Sequence, residues 1–446
     1  MGNHRDRQVL QLLSTSKCLS RILTTIWFSR HRRNLSNFYQ GKLVAASSEQ
    51  TLLICDVLML LIRPSRISRN ASDVQHIVTA VGSRSIPSAQ KFINDILSSS
   101  TESKSATPYG SYDGVFADKN VDAVYIGTPH TMHYENTKAA LLAGKHVLCE
   151  KVSDCGELSA GRVLGGLALM LPVTSSPAQP FTFDLTELDE LIKIAKEKHL
   201  FLMEAVWTRF HPIAYKLQEI IFSGKYGKVK RIFADLSMNI KPDEKELTDR
   251  MIAPELGGGG LLDLGPYPMT MLLMHQHPDN KTKASPSSIS GHMIPYKRTG
   301  VDGHSTWILE WEDIGVAICT ASITTQMSSE TSVIVQLDSA EVHIDFPTYR
   351  PEGFTIVERP SSAAPKEGEV PAVKRIRYDC PIPETDGRGM QYQADEVARC
   401  IRDGKKESER CDLAESRIVM HVFDEVRRQG GYPVKVGKAG PSKGSL

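Results

Sequence analysis

Two rhythms of apolar and polar positions divide this chain. In the first half, short apolar runs alternate with stretches of helical period. Val74 to Val81 is a β-branched run that predicts a strand. Ser88 to Leu97 predicts a short helix, and Ser98 to Ala106 a polar loop. Val121 to Ile126 is short and mostly apolar, as a buried parallel strand is. Gly127-Thr128-Pro129 breaks it. Tyr134 to Ala143 then predicts a helix with Leu141 and Leu142 toward its core, and Gly144 stands where the helix stops. His146 to Cys149 is the next strand, with Glu150 and Lys151 at its C-terminal end. This is a βαβ unit, and the right-handed crossover puts both strands in one parallel sheet. Leu185 to Lys198 is amphipathic, with Leu185, Leu188, Leu191, Ile192 and Ala195 on one face, and Phe201 to Val206 is a further strand.

The second half changes period. After a helix over Ile213 to Phe222, strand-like runs begin at Lys228 to Asn239. They continue at Ser287 to Met293, Ser305 to Trp311, Val316 to Thr325, Ser332 to Leu337 and Glu341 to Phe346. Short turns between several of them predict antiparallel pairing. Arg388 to Arg402 and Leu413 to Arg427 predict helices. The expected organisation is an atypical segment over 1–70, a parallel α/β domain over 71–210, an α+β domain over 211–437 with a largely antiparallel open sheet, and a polar tail over 438–446.

Composition narrows the class without deciding it. The 446 residues are 41% hydrophobic and 24% charged, as in a soluble globular protein of two or three domains. A net charge of +1 gives no electrostatic case for nucleic acid or a membrane surface. The eight cysteines are scattered with no C-x-x-C spacing. Neither a metal site nor a disulfide framework is indicated, and reduced thiols in a cytoplasmic protein are expected. Leu52 to Ile62 is too short to span a bilayer and contains Asp56.

Residues 1–70 are rich in Arg, Ser and Leu, with Asp6, Glu49 and Asp56 as the acids. Transit peptides share that bias, but no clear amphipathic helix or cleavage context accompanies it. Gly2 and Gly41 are the only glycines before Gly82. A dinucleotide-binding domain opens with a strand, G-x-G-x-x-G and a helix. Its glycines let the backbone approach a pyrophosphate at the helix N-terminus. With none here, the first βα unit reads as missing, and with it the main phosphate anchor.

Four stretches carry the chemistry: Val81-Gly-Ser-Arg-Ser85, the run ending in Cys149-Glu150-Lys151, Met203-Glu-Ala-Val-Trp-Thr-Arg-Phe210, and Gly257-Gly-Gly-Gly-Leu-Leu-Asp-Leu-Gly-Pro-Tyr267. In their order and content they resemble the glucose-fructose oxidoreductase / inositol dehydrogenase (Gfo/Idh/MocA) family. The resemblance is to its branch of dimeric dihydrodiol dehydrogenases and NADP-dependent D-xylose dehydrogenases, and covers roughly residues 72–430 less one insertion. It implies a Rossmann-like NADP-binding domain, a C-terminal substrate and dimerisation domain, a homodimer, and oxidation of a sugar or cyclic diol hydroxyl.

Ligands of open α/β sheets bind beyond the carboxyl ends of the strands, where Thr128, Pro129, His130, Glu150 and Lys151 fall. The resemblance adds Ser83, Arg84 and Ser85 at the adenine ribose. A guanidinium and two hydroxyls without a carboxylate suit the 2′-phosphate of NADP. It implies Trp207 and Arg209 on the substrate side, and His211 reads as structural. Asp263 and Tyr267 stand i and i+4. The resemblance implies that Tyr267 is the acid/base and that Asp263 lies near the substrate hydroxyls. A tyrosine has an ordinary pKa of about 10. A nearby lysine, with Lys151 the natural partner, favours phenolate and brings the group toward working pH.

The sequence departs from the family pattern at residue 152, where Glu-Lys is ordinarily followed by Pro. Val152 to Gln179 intervene, 28 residues rich in Gly, Ala, Leu and Ser, before Pro180-Phe-Thr. Val152 takes a GT-initial codon and Gln179 can be CAG, the signals that bound an intron. The segment reads as a retained in-frame intron, with a genuine loop insertion as the rival. A catalytically impaired or non-catalytic member of the family is the alternative to an active enzyme.

Overall fold

The computed structural model describes residues 42–46, 73–74, 76–97, 105–128, 130–151, 182–274, 284–312, 315–359, 373–383 and 388–432. Its first sheet has six strands: β1 (Lys42–Ala46), β2 (Ile77–Gly82), β3 (Thr107–Tyr109), β4 (Ala123–Ile126), β5 (His146–Glu150) and β6 (Leu202–Ala205). They lie in the order β3-β2-β1-β4-β5-β6, every neighbouring pair parallel. The strand order reverses at β1, which makes the crevice beyond β1 and β4 the topological switch point where such sheets take ligands.

The first strand, expected to be missing, is present and central: Lys42 pairs with Ile77 of β2, and Leu43 with Ala123 of β4. Parallel pairing on both edges is made by backbone groups, so it places no demand on glycines further along. A search keyed to the glycine motif therefore passes over Lys-Leu-Val-Ala-Ala. The motif itself is still absent, since Ser47-Ser48-Glu49-Gln50 follow β1 in the sequence. Those residues and the 152–179 insertion lie outside the described residues.

The helices between these strands follow their sequence signals. In α1 (Ile86–Phe92), Ser85 accepts from the Ser88 amide and Pro87 occupies the first turn; a wider turn over Ile93–Leu97 continues it. Next come α2 (Tyr112–Ala117) and α3 (His133–Leu142), in which Leu141 is buried but Leu142, expected toward the core, is 53% exposed. In α4 (Leu185–Glu197), Asp184 accepts from Glu187 N at 3.0 Å while Glu187 accepts from Phe183 N at 3.0 Å, so two amide donors at the helix start are met by neighbouring carboxylates. Leu188, Leu191, Ile192 and Ala195 then bury the face the spacing predicted, in a core with Val124, Ile126 and Val147. Each such leucine contributes about 1.5–3 kcal/mol by leaving water.

After α5 (Pro212–Phe222) the second sheet begins. Its strands are β7 (Val229–Ser237), β8 (Ser288–Pro295), β9 (Asp302–Trp311), β10 (Gly315–Ser322), β11 (Thr331–Leu337), β12 (Ala340–Asp345), β13 (Gly353–Glu358) and β14 (Lys374–Asp379). The order is β14-β13-β12-β11-β7-β10-β9-β8, antiparallel throughout except for β7 beside β10. β13 and β14 were not anticipated. β14 is an edge strand with Lys374, Arg375, Arg377 and Asp379 among its six residues, so charge conceals its period.

The helices α6 (Gly260–Leu264) and α7 (Pro266–Met274) lie against β7 and β10, and α9 (Leu413–Gln429) against β8. The helix α8 (Gln391–Arg402) packs on the Trp207–Phe210 turn. α9 also reaches back to the first domain. Its Asp424 accepts from Leu185 N at 3.0 Å, and Arg427 donates to the Phe183 carbonyl at 2.5 Å. The chain entering α4 is thereby tied to α9 of the second domain.

Candidate functional site

Lys151 follows β5 directly and is 1% exposed. Its ammonium lies 3.3 Å from the ring centroid of Tyr267, which is wholly buried in the first turn of α7. A desolvated cation over an aromatic face is worth about 2 kcal/mol. From the other side, the indole N–H of Trp207 donates to the Tyr267 phenol oxygen at 3.1 Å. Trp207 opens the short helical turn Trp207–Phe210 after β6. Three stretches far apart in sequence thus meet around one phenol.

Asp263 lies in α6, and Gly265, in helical conformation, separates it from α7. The expected i, i+4 pair therefore spans two short helices. Arg250 Nη1 donates to Asp263 Oδ1 at 3.1 Å, and Oδ2 is buried with no hydrogen-bond partner among the described residues. Burial raises the Asp263 carboxyl to about 8, with Arg250 opposing and Asp302 reinforcing the shift.

Asp302, at the start of β9, was missed by the sequence reading. It accepts from Leu261 N at 2.6 Å and from Ser305 Oγ at 2.6 Å, fixing the first turn of α6 to the second sheet. Burial raises this carboxyl to about 6, its hydrogen bonds opposing. Gly259 has φ 126°, and a Cβ there would stand 1.9 Å from Asp302 Oδ1, so the glycine run serves this close approach. No local signal distinguishes Asp302 from any other aspartate at a strand start.

Arg209 is placed differently from expectation. Its guanidinium is 3% exposed and forms a buried ion pair with Glu415 in the first turn of α9. Desolvation lowers it to about 10. The pair ties the Trp207 turn to α9. His211 is fully buried, and both its ring nitrogens lack a hydrogen-bond partner among the described residues. Desolvation first, then Arg350, lowers it to about 3. A histidine so strongly kept neutral packs rather than exchanges protons, as its sequence context suggested.

At the carboxyl end of β4, Thr128 is buried, with its hydroxyl accepting from Asn136 Nδ2 at 3.1 Å and its carbonyl 2.7 Å from His133 Nε2. The sequence reading did not single out Asn136 or His133. Desolvation lowers His133 to about 4, so it is neutral. His130 is buried with its ring against Phe183, and Pro129 lies outside the described residues. Glu150 accepts from the Tyr125 hydroxyl at 2.5 Å.

At the end of β2, Arg84 is exposed and lies close enough to Tyr112 to act on its charge. Ser85 is occupied as the α1 cap, and the buried Ser83 Oγ has no partner among the described residues. The donors Arg84 and Ser83 at the end of β2, and Thr128 and Lys151 beyond β4 and β5, are of the kinds that suit NADP. For the pyrophosphate between them, the sequence after β1 supplies no glycine.

A family model described as "Oxidoreductase family, NAD-binding Rossmann fold" matches residues 63–151, and the GFO/IDH/MocA C-terminal domain model matches residues 215–343. The D-xylose 1-dehydrogenase (NADP(+)) of Hypocrea jecorina is 36% identical over 385 residues, 82% of this chain and 87% of that protein. The trans-1,2-dihydrobenzene-1,2-diol dehydrogenase of Danio rerio is 29% identical over 366 residues, 80% of this chain and 90% of its own length. Among solved structures, the aldose-aldose oxidoreductase of Caulobacter crescentus has a TM-score of 0.61 at 18% identity, covering 87% of this chain and 97% of that one. A 3-ketoreductase from Actinomadura kijaniata in complex with NADP gives 0.58 at 16%, with the same coverage. At these identities the two structures show the fold alone.

Proposed function

The chain belongs to the Gfo/Idh/MocA oxidoreductase family, and from that premise we propose that it is an NADP-dependent dehydrogenase oxidising a sugar or cyclic diol hydroxyl. Its reaction is of the D-xylose 1-dehydrogenase or trans-dihydrodiol dehydrogenase type. The observation that carries this reading is the buried Lys151 ammonium over Tyr267 at the carboxyl end of β5.

Oxidation of an alcohol removes the hydroxyl proton as a hydride leaves the carbon; bound NADP⁺ supplies the hydride acceptor. Tyr267 takes the proton at its phenol oxygen, and Lys151 stabilises phenolate. Asp263, whose Oδ2 has no protein partner among the described residues and whose carboxyl lies near 8, orients the substrate hydroxyls as donor or acceptor. Thr128 and its bonds to Asn136 and His133 hold the loop after β4 in place. Arg84 pairs with the 2′-phosphate.

The second sheet provides the surface for a homodimer. Ile308, Ile318, Phe233 and Ile334 stand in one cross-strand row over β9, β10, β7 and β11 on the half-exposed face. A two-fold contact between copies of this face would cover the row. The cytosol is the proposed location; Cys149, Cys319, Cys380, Cys400 and Cys411 are free thiols. Among the described residues no helix is long and apolar enough to cross a membrane.

The test is NADPH formation with D-xylose and with a trans-dihydrodiol, wild type beside Tyr267→Phe. Turnover that falls by about 10²–10⁴ in the variant, the span of a general acid/base, supports the reading. Near-normal turnover in Tyr267→Phe moves the proton transfer away from Tyr267. A second reading, an impaired family member, rests on the missing glycines after β1 and on Val152 in place of proline. Absence of both NADPH binding and turnover in the wild type favours it.

A further inference from the structure

Trp207 was expected on the substrate side, but its indole N–H is directed at the Tyr267 phenol oxygen, 3.1 Å away. The ring is fixed from two sides. His211 meets it edge-on, with centroids 4.9 Å apart and planes at 81°, and Tyr349 stacks near-parallel at 6.2 Å and 30°. Because desolvation keeps His211 neutral, it supports the ring without adding a charge beside it. The Arg209–Glu415 pair anchors the same short turn to α9. A donor held this firmly in a buried site, where Trp207 is 2% exposed and Tyr267 fully enclosed, pays little to reorganise when charge appears on the oxygen.

We infer that Trp207 is a positioning residue for the Tyr267 phenolate: its N–H holds the phenol oxygen in place and favours the ionised form. The inference rests on the reading of Tyr267 as proton acceptor for its functional meaning, but the hydrogen bond can be tested without substrate or cofactor. An N–H donor to the charged form of an acid favours ionisation. Phenolate oxygen has acceptor capacity for more than one donor, so the indole N–H and a substrate O–H can share it. Lys151 and Trp207 then divide the task, the first through its charge over the ring and the second through direction at the oxygen. The other groups facing this centre are Tyr349, whose ring lies 5.8 Å from that of Tyr267, His211 behind the indole, and Asp263 one turn earlier, paired with Arg250.

The experiment is an ultraviolet titration of tyrosinate in the full-length apo protein. Tyr267→Phe identifies the Tyr267 contribution by difference, and Trp207→Phe removes the donor while keeping an aromatic ring between His211 and Tyr349. The Tyr267 transition is expected to move up by about one pH unit in Trp207→Phe, the equivalent of one ordinary hydrogen bond. In turnover assays the pH–rate profile moves the same way, and the variant recovers at high pH. If the Tyr267 transition stays where it is and any loss of rate is uniform across pH, Trp207 is packing alone and the inference is overturned. Should Trp207→Phe fail to fold, wild-type protein still decides. With indole nitrogens labelled, one N–H resonance of the four tryptophans is expected to follow the Tyr267 titration and to lose that dependence in Tyr267→Phe; a resonance set blind to Tyr267 overturns the inference. A shifted titration with no turnover defeats only the dehydrogenase reading, and turnover with an unshifted titration defeats only the role of Trp207.

Discussion

The ammonium of Lys151 stands over the ring of Tyr267, 3.3 Å from its centroid, with both side chains buried. A positive charge in that position favours every state in which the phenol carries negative charge, and low local dielectric strengthens the effect. Lys151→Met keeps the aliphatic packing and removes the charge. Its kcat is expected to fall by about 10²–10³, the cost typical of losing one preorganised electrostatic group. Measured with saturating NADP and substrate, an unchanged kcat would remove Lys151 from the chemistry.

Arg84 is exposed at the end of β2, beside the switch point of the parallel sheet. Arg84→Ala is expected to weaken NADP binding by roughly ten- to a hundred-fold, as loss of a charge-assisted contact of about 1.5–3 kcal/mol does, and to leave NAD binding nearly unchanged. Titration calorimetry with both cofactors checks this. An equal loss for the two would show that the guanidinium does not read the 2′-phosphate.

Asp263 links the site to stability. Its carboxyl is raised by burial from 3.8 to about 8. Below pH 4 it is protonated whether the chain is folded or not. Between about 4 and 8 the unfolded chain releases a proton that the folded chain keeps, so the stability this group contributes at low pH is lost as pH rises toward 8. Asp263→Asn abolishes that slope. The Tm of the variant relative to wild type is therefore expected to improve from pH 4 to pH 8, read by thermal melts across the series. A Tm difference independent of pH would show that Asp263 ionises at its ordinary value.

Val152 to Gln179 stand between Lys151 and Pro180. Proline after Lys151 would lock the chain direction at the strand end, and Val152 does not. Loop closure costs grow slowly with length, so the insertion need not unfold the domain. Misplacement of Lys151 by about 1 Å is nonetheless worth about 10² in rate, and the missing glycine loop removes the pyrophosphate anchor. On the second reading, that of an impaired family member, the natural chain binds NADP weakly and turns over little substrate. A chain with 152–179 deleted and a glycine-containing βα turn after β1 is expected to regain D-xylose or dihydrodiol oxidation. NADPH production by the two side by side decides it; full activity from the unmodified chain would show that both segments are compatible with function.

What the sequence determined by itself is what near neighbours encode. The apolar spacing of Leu188, Leu191, Ile192 and Ala195 is a property of one helix, and it predicted the buried face of α4 because 3.6-residue periodicity needs no partner to be visible. The βαβ run from Val121 to Lys151 was legible for the same reason, and its chirality placed Thr128 and Lys151 at one end of the sheet. The short turns between the strand-like runs predicted the antiparallel sheet, whereas charged β14 and glycine-poor β1 lacked a comparable local mark. The tertiary structure alone decided which groups meet. Arg209 pairs with Glu415, 206 residues away. Asp302 reaches Leu261 across 41 residues, and Trp207 reaches Tyr267 across 60. Contacts at such separations are set by how two sheets and the helices between them close on one another. No periodicity records that closure, because the geometry exists only once the chain has folded.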